Sequence, residues 1–268
     1  KGTPAGGARF ATFAVIGTSI SAGIQSTGIN DSTQREGYAY QLALAMGVTP
    51  GADWLYPSFR MPGCPAPLSN ALAGLRVGGA SSAACATRDI ASARDNMNNT
   101  GIPSLRAAQA LDVTNLAFPA TDTLKLAQFI TGSISPVNMV MRQNPTFVIV
   151  EVGANDVLGA STRGDTTLLT PTAAFTASVT AIADSLDSLS PKPDVAIMGV
   201  PNVTVIPHFT RASVLWCLKT GLCPGVPATV PFSLASFTIN NNCASGAAVP
   251  GAVGDSYLVT FPALGAIL

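Results

Sequence analysis

The sequence predicts an α/β fold, a three-layer α/β/α arrangement with a parallel sheet at its centre. Three observations carry that expectation. Short apolar runs recur at residues 9–17 (RFATFAVIG), 146–153 (TFVIVEVG) and 193–201 (PDVAIMGVP), each closing on glycine or a turn. The second and third lack strict alternation, the pattern of strands covered on both faces. Helical patterns fall between the runs, and strands alternating with helices imply a doubly wound sheet. Ligands of such sheets sit beyond the carboxyl ends of the strands.

Taken in order, the run 9–17 is the first strand and delivers the chain into Gly17-Thr18-Ser19-Ile20-Ser21. Residues 31–47 (DSTQREGYAYQLALAMG) read as a helix opened by a Ser or Asp cap and closed on Gly47. Residues 48–100, rich in Pro, Gly, Ala and Ser, read as a loop-rich insertion on the active-site side. A helix is expected over 121–132, then the second strand at 146–153. The stretch 170–190 has apolar residues at threes and fours, with Pro171 at the favoured first helical position. The third strand comes next, at 193–201, and 210–250 resembles 48–100 in texture. There are no internal repeats, and the whole of 1–268 reads as a single domain.

Composition excludes several function classes. The chain has 268 residues, 47% apolar and only 10% charged, with 14 basic against 14 acidic side chains. Binding nucleic acid needs a basic surface that releases counterions, and this balance offers none. The apolar content is too high for a disordered chain. No run approaches the ~20 apolar residues of a membrane-spanning helix. A surface built of Ser, Thr, Asn, Gly and Ala matches secreted, periplasmic or cell-surface proteins. Five cysteines, at 64, 85, 217, 223 and 243, lie in loop-like surroundings without metal-ligand spacing, and there is one histidine. They read as disulfides of an oxidising compartment, with no metal or cofactor. The expected pairs are Cys64–Cys85 and Cys217–Cys223, which leaves Cys243 without a partner.

The turns at the strand ends carry the chemistry. After the first strand comes Ser19; after the second come Gly153, Asn155 and Asp156. If both strands are central and parallel, Ser19 and Asn155 lie at one edge of the sheet. A serine hydroxyl beside a side-chain amide suits acyl transfer: the hydroxyl attacks a carbonyl and the amide N–H stabilises the oxyanion. Taken separately, each stretch also has a plain reading, a helix cap and an Asx turn.

Together these stretches resemble the SGNH (GDSL-type) serine hydrolases. Gly17-Thr18-Ser19-Ile20-Ser21 stands where that family has Gly-Asp-Ser-Leu-Ser, and VGANDVL (152–158) resembles its Gly-x-Asn-Asp block. NNTGIPSLRAAQALD (98–112) is similar to the Asn-x-Gly-Val-Pro-Gly-Ala block, with Ser104 at the position of the glycine whose N–H serves the oxyanion hole. RVGGAS offers Gly79 as a weaker alternative. GVPNVTVIPHF (199–209) resembles the family's segment after the third strand. The resemblance implies a flavodoxin-like parallel sheet and a carboxyl-ester hydrolase of the esterase or lipase type. It implies Ser19 as nucleophile, an oxyanion hole of the Ser19 N–H, the Ser104 N–H and the Asn155 amide, and Gly153 and Asp156 as supporting residues. Substrates would be esters of lipids, small acyl groups or acylated sugars.

Two departures stand out. Thr18 replaces the block-one aspartate, which is not a triad member. The family's Asp-x-x-His, which supplies base and orienting acid, occurs nowhere in these residues. His208 is the single histidine and a weak candidate for the base, since no acid stands three before it. A missing C-terminal segment or a second chain carrying Asp-x-x-His would account for this, and for the unpartnered Cys243. The chain stops in an apolar segment, 257–268, as if inside an element. The alternative function is a catalytically inactive hydrolase-fold binding or surface module.

Other features have plainer readings. Gly254-Asp255-Ser256 precedes an apolar run instead of ending one, so Ser256 is a decoy. Trp54-Leu55-Tyr56 and the Cys64 loop could line a pocket or pack a loop. Glu151, a charge on a buried-looking strand, needs a partner such as an Arg. Asn30, Asn98 and Asn202 head glycosylation sequons.

Overall fold

In the computed structural model of the chain, residues 6–70, 74–80, 96–112, 130–132, 134–163, 165–200, 202, 211–222, 238–257 and 259 are described. Their strands are β1 (Phe13–Ile16), β2 (Leu68–Asn70), β3 (Leu75–Arg76), β4 (Phe147–Val150) and β5 (Asp194–Ile197). The helices are α1 (Ser19–Ala22), α2 (Asp31–Glu36), α3 (Tyr38–Ala45), α4 (Pro136–Met141), α5 (Ala154–Arg163), α6 (Thr172–Asp187) and α7 (Ala212–Thr220). The chain forms two units: Lys1–Asn155 with Thr170–Val200, and Asp156–Leu169 with Pro201–Leu268.

The first unit is a mixed α/β structure around a parallel sheet in the order β1-β4-β5. Phe13 pairs with Phe147 and Ile16 with Val150; Phe147 pairs in turn with Asp194 and Val150 with Ile197. On the open side of β1, Val15 donates its N–H to the Asn98 carbonyl at 2.7 Å and accepts from the Thr100 N–H at 3.0 Å. Residues 98–100 thus run parallel beside β1 as a short further rung.

Side chains alternate between two faces, as the pleat requires. Ala14, Ile16, Val148 and Val150 share one core with Val137 and Val140 of α4 and Ile182 and Leu186 of α6. Phe13, Val15 and Ile149 share the other with Ala39 and Ala43 of α3, Trp54 and Tyr56. Removing each such large side chain from water contributes about 1.5–3 kcal/mol. The continuous apolar runs of β1 and β4 are therefore strands with both faces covered. β5 differs from the expectation of burial: Asp194, Val195 and Ile197 are exposed, and β5 ends the sheet among the described residues.

Other expectations are corrected. The pattern over 31–47 is two helices, broken at Gly37, whose backbone is extended (φ −64°, ψ 145°). A side chain there would press on the Gln34 carbonyl and on Gly23. The cap of α2 is Asn30, not Ser or Asp: its side chain accepts the Thr33 N–H at 3.0 Å, and Thr33 Oγ1 accepts the Asn30 N–H, a reciprocal capping box. Pro171 is the cap of α6, one residue earlier than expected. Residues 48–100 do not merely decorate the surface, since Trp54, Phe59 and Ala66 are fully or almost fully buried in the core. Trp54 stacks between Phe13 (5.8 Å) and Tyr56 (5.9 Å), so it packs the underside of β1 instead of lining a pocket. Of the helix expected at 121–132, only 130–132 is described.

In the second unit, α7 is tied to the turn at Asn241–Cys243. Trp216 Nε1 donates to Asn241 Oδ1 at 3.3 Å, and the Ala212 N–H to the Tyr257 carbonyl at 2.9 Å. Ser256 sits in an exposed turn. Cys64 and Cys217 are disulfide-bonded and Cys243 is a free thiol. Their expected partners, Cys85 and Cys223, lie outside the described residues, as does His208. No helix among the described residues is long and apolar enough to cross a membrane.

Candidate active site

The parallel pairing of β1 with β4 puts the residues after Ile16 and after Val150 at the same edge of the sheet. The ladder continues one step beyond the strands, with the Glu151 N–H donating to the Ile16 carbonyl at 2.8 Å. From there β1 turns through Gly17 and Thr18 into α1, whose first residue is the half-buried Ser19. Gly17 is required by crowding. A Cβ there would fall 2.1 Å from Ser21 Oγ and 3.0 Å from Glu151 Oε2. At the matching turn after β4, Gly153 has φ +105° and faces the Phe175 ring and Val200, with no room for a Cβ. Glycine is the residue for such a backbone.

Residues 98–105 close the third side. The Ile102 N–H donates to the Gly17 carbonyl at 3.1 Å, two residues before Ser19. Gly101 passes so close to α1 that a side chain would meet the Ala22 N–H and the Thr18 carbonyl. Asn155, in the first turn of α5, donates from Nδ2 to the Leu105 carbonyl at 2.9 Å, one residue after Ser104. Ser19, Ser104 and Asn155 are therefore tethered by direct hydrogen bonds between their immediate neighbourhoods. Asp156, the next residue, is buried.

Each expected oxyanion donor keeps a hydrogen to give. Among the described residues, the Ser19 N–H and the Ser104 N–H make no hydrogen bond, and one of the two Asn155 amide hydrogens is unused. Ser104 has φ +64° and an exposed side chain. A residue with a Cβ costs about 1–2 kcal/mol in this left-handed region, so the backbone here has the shape glycine favours while the hydroxymethyl turns out to solvent. Gly79, the weaker candidate, also has positive φ, in the turn after β3, and the β3 end is tied to the Pro67 carbonyl through the Val77 N–H. No backbone hydrogen bond joins it to the Ser19 turn among the described residues.

Glu151 has no Arg partner among the described residues. Its carboxylate is 5% exposed and accepts three hydrogen bonds from the Ser19 turn: the Thr18 N–H (3.0 Å), the Thr18 hydroxyl (2.5 Å) and the Ser21 N–H (3.2 Å). Backbone and hydroxyl donors satisfy the buried charge instead of a cation. The Tyr38 hydroxyl is buried nearby, beside the Ser21 side chain. Burial, and then the Glu151 charge, push its phenol well above the ordinary range.

Asn98 and Asn99 are structural residues that the sequon reading missed. Asn98 accepts the Leu55 N–H (2.8 Å) and donates to the Phe13 carbonyl (3.1 Å). Asn99 donates to the Ser21 carbonyl (2.8 Å) and accepts the Gly101 N–H (3.0 Å). Adjacent amides before a Gly-x-Pro turn were the available signal. Asn30 is also turned inward, donating to the Pro62 carbonyl.

No family model, curated protein or solved structure matches the chain.

Proposed function

We propose that this chain is a serine ester hydrolase of the SGNH type, built as a three-layer, flavodoxin-like α/β/α sandwich. Support for the fold comes from helices packed on both faces of the parallel sheet. The observation that carries the functional reading is the tethering of three turns at one end of that sheet. Ser19, the Ser104 backbone and Asn155 each come from a different turn and each retains an unused N–H.

In the proposed reaction Ser19 Oγ attacks the ester carbonyl, a new C–O bond forms, and the carbonyl oxygen becomes an oxyanion held by the three N–H groups. Collapse breaks the bond to the alcohol, which leaves with the proton taken from Ser19. Water then attacks the acyl-enzyme and releases the acid. In the family that these turns resemble, an Asp-x-x-His pair moves these protons. His208 is the single histidine of these 268 residues. Small acyl, lipid and acylated-sugar esters all fit this chemistry.

A second reading, a hydrolase-fold binding module, is favoured by one observation: among the described residues nothing hydrogen-bonds Ser19 Oγ. Turnover of p-nitrophenyl acetate and butyrate by the wild type and Ser19→Ala separates the two. A hydrolase loses its turnover in the folded variant. A binding module gives the same background rate in both.

A further inference from the structure

We propose that Glu151 is a positioning residue for the nucleophile, bracing the Ser19 turn from behind through Thr18 and Ser21; this rests on the hydrolase reading. Which backbone groups Glu151 takes is the decisive point. Its carboxylate accepts from Thr18, immediately before Ser19, and from Ser21, two residues after it. The Ser19 and Ile20 N–H groups, between those anchors, stay without a hydrogen bond among the described residues. One rigid group thus grips the turn on both sides of the nucleophile and leaves the N–H needed for an oxyanion untouched.

The brace extends further. Ser21 Oγ donates to the Thr18 carbonyl at 3.0 Å, so Thr18 and Ser21 are also joined to each other. The Ser21 carbonyl accepts from Asn99, whose Oδ1 holds the Gly101 N–H. This buried chain runs from Glu151 through the Ser19 turn to the loop that carries Ser104. The bare Gly17 gives it room, since a Cβ would strike both Ser21 and Glu151.

Thr18 is the natural companion of this arrangement. A threonine donates its hydroxyl to the Glu151 carboxylate, whereas an ionised aspartate in that place has no proton to donate and would add a like charge. The departure of Thr18 from the family's block and the buried acid at Glu151 are thereby explained as one unit.

The test compares wild type, Glu151→Gln, Thr18→Val and the double variant in p-nitrophenyl butyrate turnover, with circular dichroism as the folding control. Glutamine keeps the shape but sets its NH2 against an N–H donor. A misplacement of about 1 Å at a reacting group can cost about 100-fold. The expected result for folded Glu151→Gln is a kcat lower by about 10- to 100-fold with KM within about 2-fold. Thr18→Val, which keeps the carboxylate and both N–H donors, should lose about 3-fold. Because the two act through one contact, Thr18→Val should add almost nothing in the Glu151→Gln background. If Glu151→Gln fails to fold, Thr18→Val alone decides, by a fall in kcat or none.

An unchanged kcat in a folded variant, with or without a lower Tm, makes Glu151 a structural cap only and overturns the proposal while the hydrolase reading stands. A change in KM alone overturns it equally. An inert wild type overturns the hydrolase reading, and this proposal with it.

Discussion

In the proposed reaction Asn155 has two tasks, and replacing it with alanine separates them by size. One amide hydrogen holds the Leu105 carbonyl at 2.9 Å in a partly buried setting. A neutral hydrogen bond of that kind contributes about 1 kcal/mol to folding. For a unit of this size that corresponds to a Tm lower by about 2–4 °C. The second hydrogen is unused in the resting protein and is assigned to the oxyanion. Losing one such donor costs about 2.7–4 kcal/mol of transition-state stabilisation, or roughly 10²–10³-fold in kcat. Asn155→Ala should therefore look nearly wild-type in a melt and almost dead in turnover. The assay pairs thermal unfolding by circular dichroism with kcat and KM on p-nitrophenyl butyrate. A kcat within about 3-fold of wild type would refute the oxyanion assignment. A collapse of the fold in step with activity would show that the Leu105 tether, not the free hydrogen, is what the amide is for.

Ser104→Gly should keep its activity, because the N–H remains, and should gain up to about 1 kcal/mol as left-handed strain is relieved; equilibrium denaturation reads the change. Asn98→Ala strips partners from the part-buried Leu55 N–H and the buried Phe13 carbonyl, so a loss of about 2–4 kcal/mol is expected in the same assay. Expressed in a glycosylating host, the folded chain should carry no glycan at Asn30 or Asn98 by peptide mapping, since both amides donate into the fold. Tyr38 and Tyr56 have phenol pKa values raised chiefly by burial, with Glu151 the next cause for Tyr38 and the Asp31 hydrogen bond for Tyr56. The unfolded chain then loses phenol protons first, so their contribution holds below about pH 10 and falls as pH rises beyond it. Tm measured from about pH 8 to about pH 11.5 should drop at the alkaline end, and less steeply in Tyr38→Phe.

The parallel sheet and the shared edge of its two glycine turns were legible for local reasons. β1 and β4 are unbroken apolar runs that stop at Gly17 and, shortly after Glu151, at Gly153, and parallel pairing alone then brings Ser19 and Asn155 to one edge. Such signals need no knowledge of the rest of the chain. The break at Gly37 was not legible, because a glycine inside a helical pattern is compatible with a continuous helix until the close approach of Gly23 is known. Glu151 illustrates the same limit. Its burial was readable, but its partners are backbone and hydroxyl donors far along the chain in Thr18 and Ser21, a contact no local pattern encodes. Trp54 and Tyr56 were open to either reading, pocket or packing, because aromatic residues in a Pro- and Gly-rich stretch do not announce which side they pack on; stacking on Phe13 decides it for Trp54. Asn98 and Asn99 were hidden behind a sequon, a pattern that says nothing about whether the amide points in or out.

The central claim is that Ser19 is a nucleophile, and covalent capture tests it most directly. The folded chain is treated with a fluorophosphonate probe, its intact mass is measured, and the labelled peptide is sequenced, with Ser19→Ala alongside. A nucleophilic Ser19 predicts one adduct, on the peptide containing that residue, absent from the variant and reduced by a competing ester. A wild-type chain that acquires no adduct, or one whose label sits on Ser256 or another serine, contradicts it.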